Sequence, residues 1–310
     1  MTQTRLIELI APSGYAPNAE VAERGVQTLE RLGYTVSNRE ALARRHLRFA
    51  GTDAERVAEI NRLARRDHPV PDIVLAVRGG YGAVHLLDHL DYEGLHRRLS
   101  GASVAIVGHS DFTALQLALL SQAHLITFAG PMLLADFGAE TPSDFTLDQF
   151  RSVLSAPSHV VGWTGDGASG DIDVSGTLWG GNLAMVCSLI GTRYLPQIEG
   201  GVLFVEDVNE PPYRVERMIY QLHQTGILAR QRALVLGDFS EYRLSDYDNG
   251  YDMAAMIENM RRVVGIPIVT GLPFGHCPDK LTLPVGGQAR LQTAGAQATL
   301  TLTGYPYIAS

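Results

Sequence analysis

Apolar runs and amphipathic stretches alternate along the first half of the chain. Residues 6–11, 73–77 and 104–107 are short apolar runs, and uninterrupted runs of this kind are typical of strands buried on both faces. Other stretches repeat their apolar residues at helical spacing, which predicts helices over 18–32, 54–65, 82–90 and 112–123. Strands that alternate with helices of this length indicate a mostly parallel sheet.

The second half repeats this alternation and then changes character. Strands are predicted at 202–205, 233–236 and 267–270, and helices at 182–190, 213–225 and 253–264. From residue 281 the pattern alternates as in strands, with a hairpin predicted around Ala294 and Gly295.

A stretch rich in glycine, serine, proline and aspartate separates the two halves. We interpret it as a linker over 156–176, between an N-terminal domain (1–155) and a C-terminal domain (177–310). The expected fold class is α/β. The N-terminal domain would have three layers around its sheet, and the smaller C-terminal α/β domain would end in a hairpin-rich tail.

Composition narrows the class of protein. With 45% apolar and 19% charged residues among 310, the chain is not intrinsically disordered. Its net charge is −8 and no long basic patch occurs, since Arg44, Arg45 and Arg48 fit a solvated face, so no nucleic-acid partner is expected. Two cysteines exclude a disulfide scaffold and are expected to be free thiols.

The same residues predict a cytoplasmic protein with no membrane partner. No segment reaches the run of about 18 apolar residues that a membrane span needs. The apolar stretch near the start is short, contains Glu8 and runs into Pro12, so it does not fit a signal peptide.

The segment 105–115 (AIVGHSDFTAL) runs from a buried strand through a tight turn into a helix. Ser110 stands at the turn, where its hydroxyl would leave the carboxyl edge of the sheet at the positive end of a helix. That placement suits a nucleophile, although Phe112 replaces the last glycine of the G-x-S-x-G motif. A serine that only caps the helix fits the same segment.

A second turn, VRGGYG at 77–82, follows the strand predicted at 73–77. Its glycines permit positive φ and close approach of the backbone, so it could supply an N–H group to an oxyanion. The turn does not fit a dinucleotide fingerprint, because His85 stands where G-x-G-x-x-G needs its last glycine, and it lacks the GK[ST] of a P-loop. No cofactor is therefore expected.

A serine nucleophile needs a base and a group that orients it. His276 lies on a glycine- and proline-rich loop (GLPFGHCP) after a predicted strand. Glu206 ends a buried run, where a carboxylate needs a partner such as an imidazolium; a solvated helix start with local ion pairs is the alternative. Only Asp279 lies near His276 at a metal-ligand spacing, so no metal is expected.

Five segments occur in order over about 200 residues: VRGGYGA, GHSDFTAL, GTLWGGNLAM, EDVNEPPYRVERM and GLPFGHC. Together they resemble the LD-carboxypeptidase family of serine peptidases, over nearly the whole chain. The resemblance implies a triad of Ser110, Glu206 and His276, and an oxyanion hole formed by the backbone N–H groups of Gly80 and Asp111. It also implies an active site at the junction of two domains and a homodimer.

The activity implied by the resemblance is removal of the terminal D-alanine from a murein tetrapeptide during peptidoglycan recycling. The scissile bond follows the L-centre of diaminopimelate, and the substrates would be the tetrapeptide or its muropeptide and nucleotide-linked forms. The alternatives are a related microcin-immunity peptidase, which cleaves a peptide-nucleotide antibiotic, and a non-catalytic ligand-binding module.

The group that would bind the D-alanine carboxylate is left open by the sequence. An acidic protein needs a local cation for an anionic substrate, and the candidates are Arg78, Arg193 and Arg214. Trp179 and Asn182, in the segment GTLWGGNL, are candidates for lining the pocket; a turn packed where the domains meet is the other reading.

Overall fold

The computed structural model of the chain describes residues 4–308 and builds them around two sheets. The strands are β1 (Arg5–Ile10), β2 (Tyr34–Ser37), β3 (Ile73–Ala76), β4 (Ala105–Gly108), β5 (Thr127–Ala129), β6 (Ser158–Thr164), β7 (Asp173–Asn182), β8 (Gly201–Val208), β9 (Gln231–Ser240), β10 (Ile268–Val269), β11 (Leu283–Val285), β12 (Gln288–Ala294) and β13 (Gln297–Thr303). The α-helices are α1 (Ala19–Arg31), α2 (Asp53–Asn61), α3 (Tyr92–Leu99), α4 (Phe112–Ala123), α5 (Asp144–Ser155), α6 (Leu183–Ser188), α7 (Pro212–Gln224) and α8 (Met253–Val264).

The first sheet has the order β11-β5-β4-β3-β1-β2. Strands β1 to β5 pair in parallel, as the alternating pattern predicted. Strand β11 comes from the far end of the chain and pairs antiparallel with β5. The apolar runs form its centre, because all residues of β3 and β4 are buried.

The second sheet has the order β10-β9-β8-β7-β12-β13-β6. Strands β7 to β10 are parallel, whereas β12, β13 and β6 form an antiparallel extension. The predicted hairpin is confirmed, since Ala294 pairs with Gln297 across a two-residue turn. The expected α/β class with largely parallel sheets is thus confirmed.

The linker predicted at 156–176 is wrong. Strand β6 and the first residues of β7 occupy most of this stretch, and both belong to the second sheet. Its polar composition arises because β6 is an edge strand that buries only alternate residues, Val161 and Trp163. Strand β11, from the C-terminal part of the chain, completes the first sheet, so both parts of the chain contribute to that sheet.

The predicted helices agree closely with the structure, apart from one. Thr52 caps α2 in a capping box with Glu55. Residues 82–90 instead form two 3₁₀ turns, Ala83–His85 and Leu87–His89. The Asp111 carboxylate accepts a hydrogen bond from the Ala83 N–H and holds the first of these turns against the start of α4.

The two sheets meet at helix α4. The backbone N–H of Asn182, at the end of β7, donates to Thr113 Oγ1 of α4 at 3.1 Å. A Cβ on Gly181 would lie 2.6 Å from that same oxygen, so glycine allows this close approach. The carboxyl ends of β4 and β7 therefore lie side by side. None of the helices in residues 4–308 combines the length and apolar character that a membrane span requires.

Candidate active site

Ser110 lies between β4 and α4 with a φ of 64°, in the left-handed region that a non-glycine residue seldom occupies. Gly108 lets the strand turn sharply, because a Cβ there would lie 2.6 Å from the Phe112 ring. A strained residue between a strand and a helix is the geometry of a nucleophile elbow. Ser110 therefore presents its hydroxyl at the sheet edge and does not act as a side-chain cap of α4.

The glycine turn after β3 closes over Ser110. A Cβ on Gly79 would lie 3.4 Å from the backbone nitrogen of Asp111, so the turn reaches the peptide that follows the nucleophile. Gly80 and Gly82 have φ of 110° and 129°, which only glycine adopts readily. The glycine turn therefore lies directly against Ser110 and the backbone nitrogen of Asp111.

Buried polar side chains hold these loops together. Asp111 accepts hydrogen bonds from the Ser13 hydroxyl at 2.6 Å and from the Ala83 N–H at 2.9 Å. The fully buried guanidinium of Arg56 donates to the carbonyls of Pro12 and Gly82. Three loops are thereby tied around the nucleophile, and sequence reasoning missed the role of Arg56.

The structure brings Ser110, Glu206 and His276 into one hydrogen-bonded chain. Nε2 of His276 lies 3.0 Å from Ser110 Oγ, and Nδ1 lies 2.7 Å from Glu206 Oε2. Because a carboxylate only accepts, the Nδ1 proton is donated to Glu206 and the Nε2 lone pair faces the serine hydroxyl. This is the arrangement in which an imidazole can take the serine proton.

Glu206 is a fully buried carboxylate near the end of β8. Its Oε1 atom has no hydrogen-bond partner in the part of the chain that the structure describes. Burial alone would lower the pKa of His276, but the hydrogen bond and charge of Glu206 outweigh it and raise that pKa above its ordinary value. The pair thus favours the imidazolium that a base forms during reaction.

The neighbouring Asp207 has a different role. Burial, together with the charge of Glu206, raises its pKa to about 6. Its carboxylate accepts hydrogen bonds from Asn182 Nδ2 at 3.0 Å and from the Ala184 N–H at 2.9 Å. Asp207 therefore holds the start of α6 against β8 and does not contact His276.

The loop that carries His276 is anchored on the first half of the chain. Thr146 Oγ1 of α5 donates to the Pro278 carbonyl at 2.8 Å and accepts from the Lys280 N–H at 2.9 Å. Lys280 Nζ lies 2.5 Å from Asp136 Oδ1, and both side chains are buried. The loop that carries His276 is therefore fixed by contacts with α5 and with Asp136.

His109 packs behind His276. It is only 2% exposed, and its ring centroid lies 5.2 Å from that of His276 in an edge contact. Its Nδ1 lies 3.0 Å from the Gly130 carbonyl, which can only accept, so Nδ1 holds the proton. Burial, reinforced by Lys280 and His276, lowers the pKa of His109 well below its ordinary value, so its ring stays neutral.

Two cavities meet at His276. The smaller cavity, of about 360 Å³, contains Ser110 and Arg78 together with the apolar side chains of Val21 and Met132. The larger cavity, of about 620 Å³, is lined by residues of α5, Glu241 and the loop after His276. His109, Ala135 and His276 line both, so the two cavities adjoin at His276.

Of the three arginine candidates, only Arg78 lines the cavity that holds Ser110. Its guanidinium donates to the Tyr15 carbonyl at 3.2 Å and has no ion-pair partner within residues 4–308. Arg193 instead binds Asp88, and Arg214 pairs with Glu210. Neither of these two arginines lines a cavity next to the triad.

The structure overturns Trp179 and Asn182 as pocket-lining candidates. Trp179 is only 1% exposed because it lies in the centre of β7, where its indole N–H donates to Gln231. The Asn182 side chain caps α6 and donates to Asp207. Both side chains stabilise the second sheet. The alternative reading, a turn packed where the domains meet, is correct only in that the end of β7 contacts α4, because the segment itself is a strand.

Lys280 is a site residue that sequence reasoning missed. The signal was available, because Lys280 is the only lysine among the 25 lysine and arginine residues of the sequence.

No group of three potential metal ligands occurs within residues 4–308.

Comparison with known proteins identifies the family. The model of the LD-carboxypeptidase N-terminal domain matches residues 7–130, and that of the C-terminal domain matches residues 175–291. The chain belongs to the LD-carboxypeptidase family. The resemblance inferred from the five segments is thus confirmed, and the family is one of serine peptidases.

Individual relatives support this family assignment. The crystal structure of muramoyltetrapeptide carboxypeptidase from Oxalobacter formigenes is 46% identical, covers 97% of this chain and 99% of its own, and superposes with a TM-score of 0.90. A probable murein peptide carboxypeptidase of Bacillus subtilis is 27% identical over 95% of this chain and 91% of its own. The microcin C7 self-immunity protein of Escherichia coli is 26% identical over 85% of this chain and 83% of its own.

Proposed function

We propose that the protein is a serine LD-carboxypeptidase that removes the terminal D-alanine from a murein tetrapeptide in peptidoglycan recycling. The observation that carries the proposal is the hydrogen-bonded chain from Ser110 through His276 to Glu206, with Ser110 in a strained elbow. The 46% identity to a muramoyltetrapeptide carboxypeptidase supports the same substrate class.

The proposed reaction begins when His276 Nε2 accepts the Ser110 proton and Oγ attacks the carbonyl carbon between diaminopimelate and D-alanine. Glu206 holds the imidazole and stabilises its positive charge. His276 then protonates the D-alanine nitrogen, which leaves an acyl-enzyme on Ser110. Water, deprotonated by His276, attacks the ester and releases the tripeptide.

The backbone N–H groups of Gly80 and Asp111 are proposed to bind the oxyanion of each tetrahedral intermediate. Gly79 packs against both Ser110 and the Asp111 nitrogen, which places the glycine turn next to the nucleophile. One such donor is worth about 3 kcal/mol of transition-state stabilisation.

Arg78 is proposed to bind the carboxylate of the terminal D-alanine. It lines the smaller cavity together with Ser110, and no carboxylate within residues 4–308 neutralises it. A cation in the same cavity as the nucleophile would restrict the enzyme to the last peptide bond of the substrate, because only there does a free carboxylate follow the scissile bond.

Three peptides test the proposal. They share the sequence of a murein tetrapeptide and end in D-alanine, L-alanine or D-alanine amide. We expect efficient cleavage of the first only, because inverting the last centre moves its methyl group or shifts the carbonyl from the oxyanion donors. A shift of about 1 Å can cost roughly 100-fold in rate. Product masses identify the bond that is cut.

Equal rates on the D- and L-terminal peptides would overturn the proposal. Efficient cleavage of an aminoacyl-nucleotide amide, with no cleavage of the tetrapeptide, would favour the immunity-peptidase alternative. A ligand-binding module would bind the peptides and convert none of them. Cytoplasmic location and a homodimer belong to the same proposal. Measurement of the molar mass in solution by light scattering tests the dimer.

A further inference from the structure

The larger cavity beside His276 is not used by the reaction as proposed. It shares the walls formed by His109, Ala135 and His276 with the cavity that holds Ser110. If the terminal residue of the substrate occupies the smaller cavity, the residue before the scissile bond extends past His276 toward the larger one. The lining of the larger cavity therefore bears on which side chain that residue has.

One wall of the cavity contains a buried cation. Lys280 is 2% exposed, and Asp136 is its single side-chain partner within residues 4–308. An ammonium group has three N–H donors, so donors remain beyond the one directed to Asp136. The chain uses arginine at all 24 of its other basic positions, so a compact ammonium at this place is a specific choice.

The rim of the cavity contains two exposed carboxylates, Glu140 and Glu241. Neither has an ion-pair partner in the described part of the chain. Since Lys280 and Asp136 neutralise each other, the two glutamates leave an excess of negative charge around the opening. Glu241 has a φ of 57° directly after β9, so its backbone is held in a strained conformation at this rim.

His109 adds a buried acceptor to the same cavity. Its Nδ1 proton is directed to Gly130, which leaves a lone pair on Nε2. No residue between 4 and 308 donates a hydrogen bond to that nitrogen, and the side chain is only 2% exposed. Because His109 lines the cavity, this lone pair can accept a hydrogen bond from an N–H group of a ligand bound there.

We propose that the larger cavity binds the charged end of the side chain that precedes the scissile bond. Its ammonium group lies against Glu140 and Glu241, and its carboxylate lies against Nζ of Lys280. A side chain that ends in both groups, as in diaminopimelate, satisfies both walls. This inference rests on the proposed carboxypeptidase function and adds the residues that select its substrate.

Four tetrapeptides that differ only in the third residue test the inference. The residue is diaminopimelate, lysine (ammonium only), 2-aminopimelate (carboxylate only) or norleucine (neither). We expect kcat/KM to be about 10-fold or more higher for diaminopimelate than for norleucine, since a hydrogen bond to a charged group is worth about 1.5–3 kcal/mol. The two singly charged peptides should lie between them.

Variants assign the two charges separately. Glu140→Gln and Glu241→Gln should each reduce the preference for diaminopimelate over 2-aminopimelate by about 2- to 5-fold, because each removes one exposed ionic contact. The Lys280→Met, Asp136→Asn double variant should remove the preference for diaminopimelate over lysine. Glu93→Gln is the matched control, since Glu93 is an exposed carboxylate on α3 that lines neither cavity.

Equal kcat/KM for all four peptides would overturn the inference and leave the carboxypeptidase function intact. Cleavage of none of them would instead contradict the proposed function. Calorimetric binding to Ser110→Ala then tests the cavity without turnover. Tighter binding of the diaminopimelate peptide than of the norleucine peptide supports the inference, and equal affinities overturn it.

Discussion

A Cβ atom on Gly79 would lie 2.7 Å from both Cβ and Oγ of Ser110. Real Cβ atoms do not approach other atoms so closely. The glycine turn can therefore pack against Ser110 only because residue 79 has a hydrogen in place of a side chain. The position of the serine hydroxyl thus depends on a residue 31 positions earlier in the chain.

Gly79→Ala is therefore expected to disable the site and leave most of the fold in place. The added methyl group must push Ser110 or the turn aside, and a displacement of about 1 Å costs roughly 100-fold in kcat. Gly162→Ala is the control, because a Cβ there would meet nothing closer than 3.6 Å. Steady-state kinetics and thermal unfolding of both variants check this, and full activity of Gly79→Ala would contradict the arrangement.

Substitution of the proposed triad should abolish turnover without additivity. Ser110→Ala, Glu206→Gln and His276→Ala should each lower kcat by orders of magnitude, and a double variant should be little worse than a single one. His276→Ala should also lower stability by about 3 kcal/mol, because it leaves the buried Glu206 carboxylate without a partner. Multiplicative losses in the double variants would show that the three residues act separately.

The pH profile should follow the proton on His276. A base must be neutral to act, so kcat/KM should fall as the pH drops through the His276 pKa, which Glu206 raises above its ordinary value of 6.5. In Glu206→Gln the raising influence is lost, while burial and Lys280 still lower the pKa. The acid limb of the residual activity should therefore move to lower pH; a limb that moves up or stays in place would argue against this base.

Arg78→Met should raise KM for peptides with a free terminal carboxylate by about 10- to 100-fold, the value of a lost charge-assisted hydrogen bond. The variant and the native protein should be equally poor on the amidated peptide, because that peptide lacks the group that Arg78 would bind. Arg97→Met, which removes an exposed arginine of α3, is the control. An unchanged KM would transfer the carboxylate role to another residue.

The buried pair of Lys280 and Asp136 should show strong coupling in unfolding experiments. Lys280→Met or Asp136→Asn alone leaves an unpaired polar group in the interior, and loss of the lysine should cost about 3–5 kcal/mol. The double variant should cost clearly less than the sum of the two, which urea denaturation of all four proteins measures. Additive losses would mean that the two groups do not stabilise each other.

Local patterns predicted most of the elements and the residues of the proposed triad. Ser110 and His276 follow strands that could be recognised from their apolar runs, and Glu206 stands where the apolar run of β8 ends. Parallel strands bring their carboxyl ends together. The helix α4 agrees with its predicted bounds because its apolar residues are continuous and buried.

Other features depend on contacts between distant residues. Strand β6 buries one face only, so its composition resembles that of a linker. Trp179 was one candidate for lining the pocket and a packed turn was the other reading, whereas the glycines of this segment allow close packing of the strand β7 on β8 and α4. The pairing of Lys280 with Asp136 spans 144 positions, and no local pattern indicates it.

Strand β11 has a consequence for how the protein is made. It covers the outer edge of β5, yet its residues, Leu283–Val285, lie near the end of a 310-residue chain. On the ribosome, β1 to β5 can pair early, but the free edge of β5 waits until more than 150 further residues have been synthesised. An exposed strand edge invites pairing with other chains during that interval. Strand β11, the last strand of the first sheet to be translated, therefore decides when the free edge of β5 is protected from aggregation.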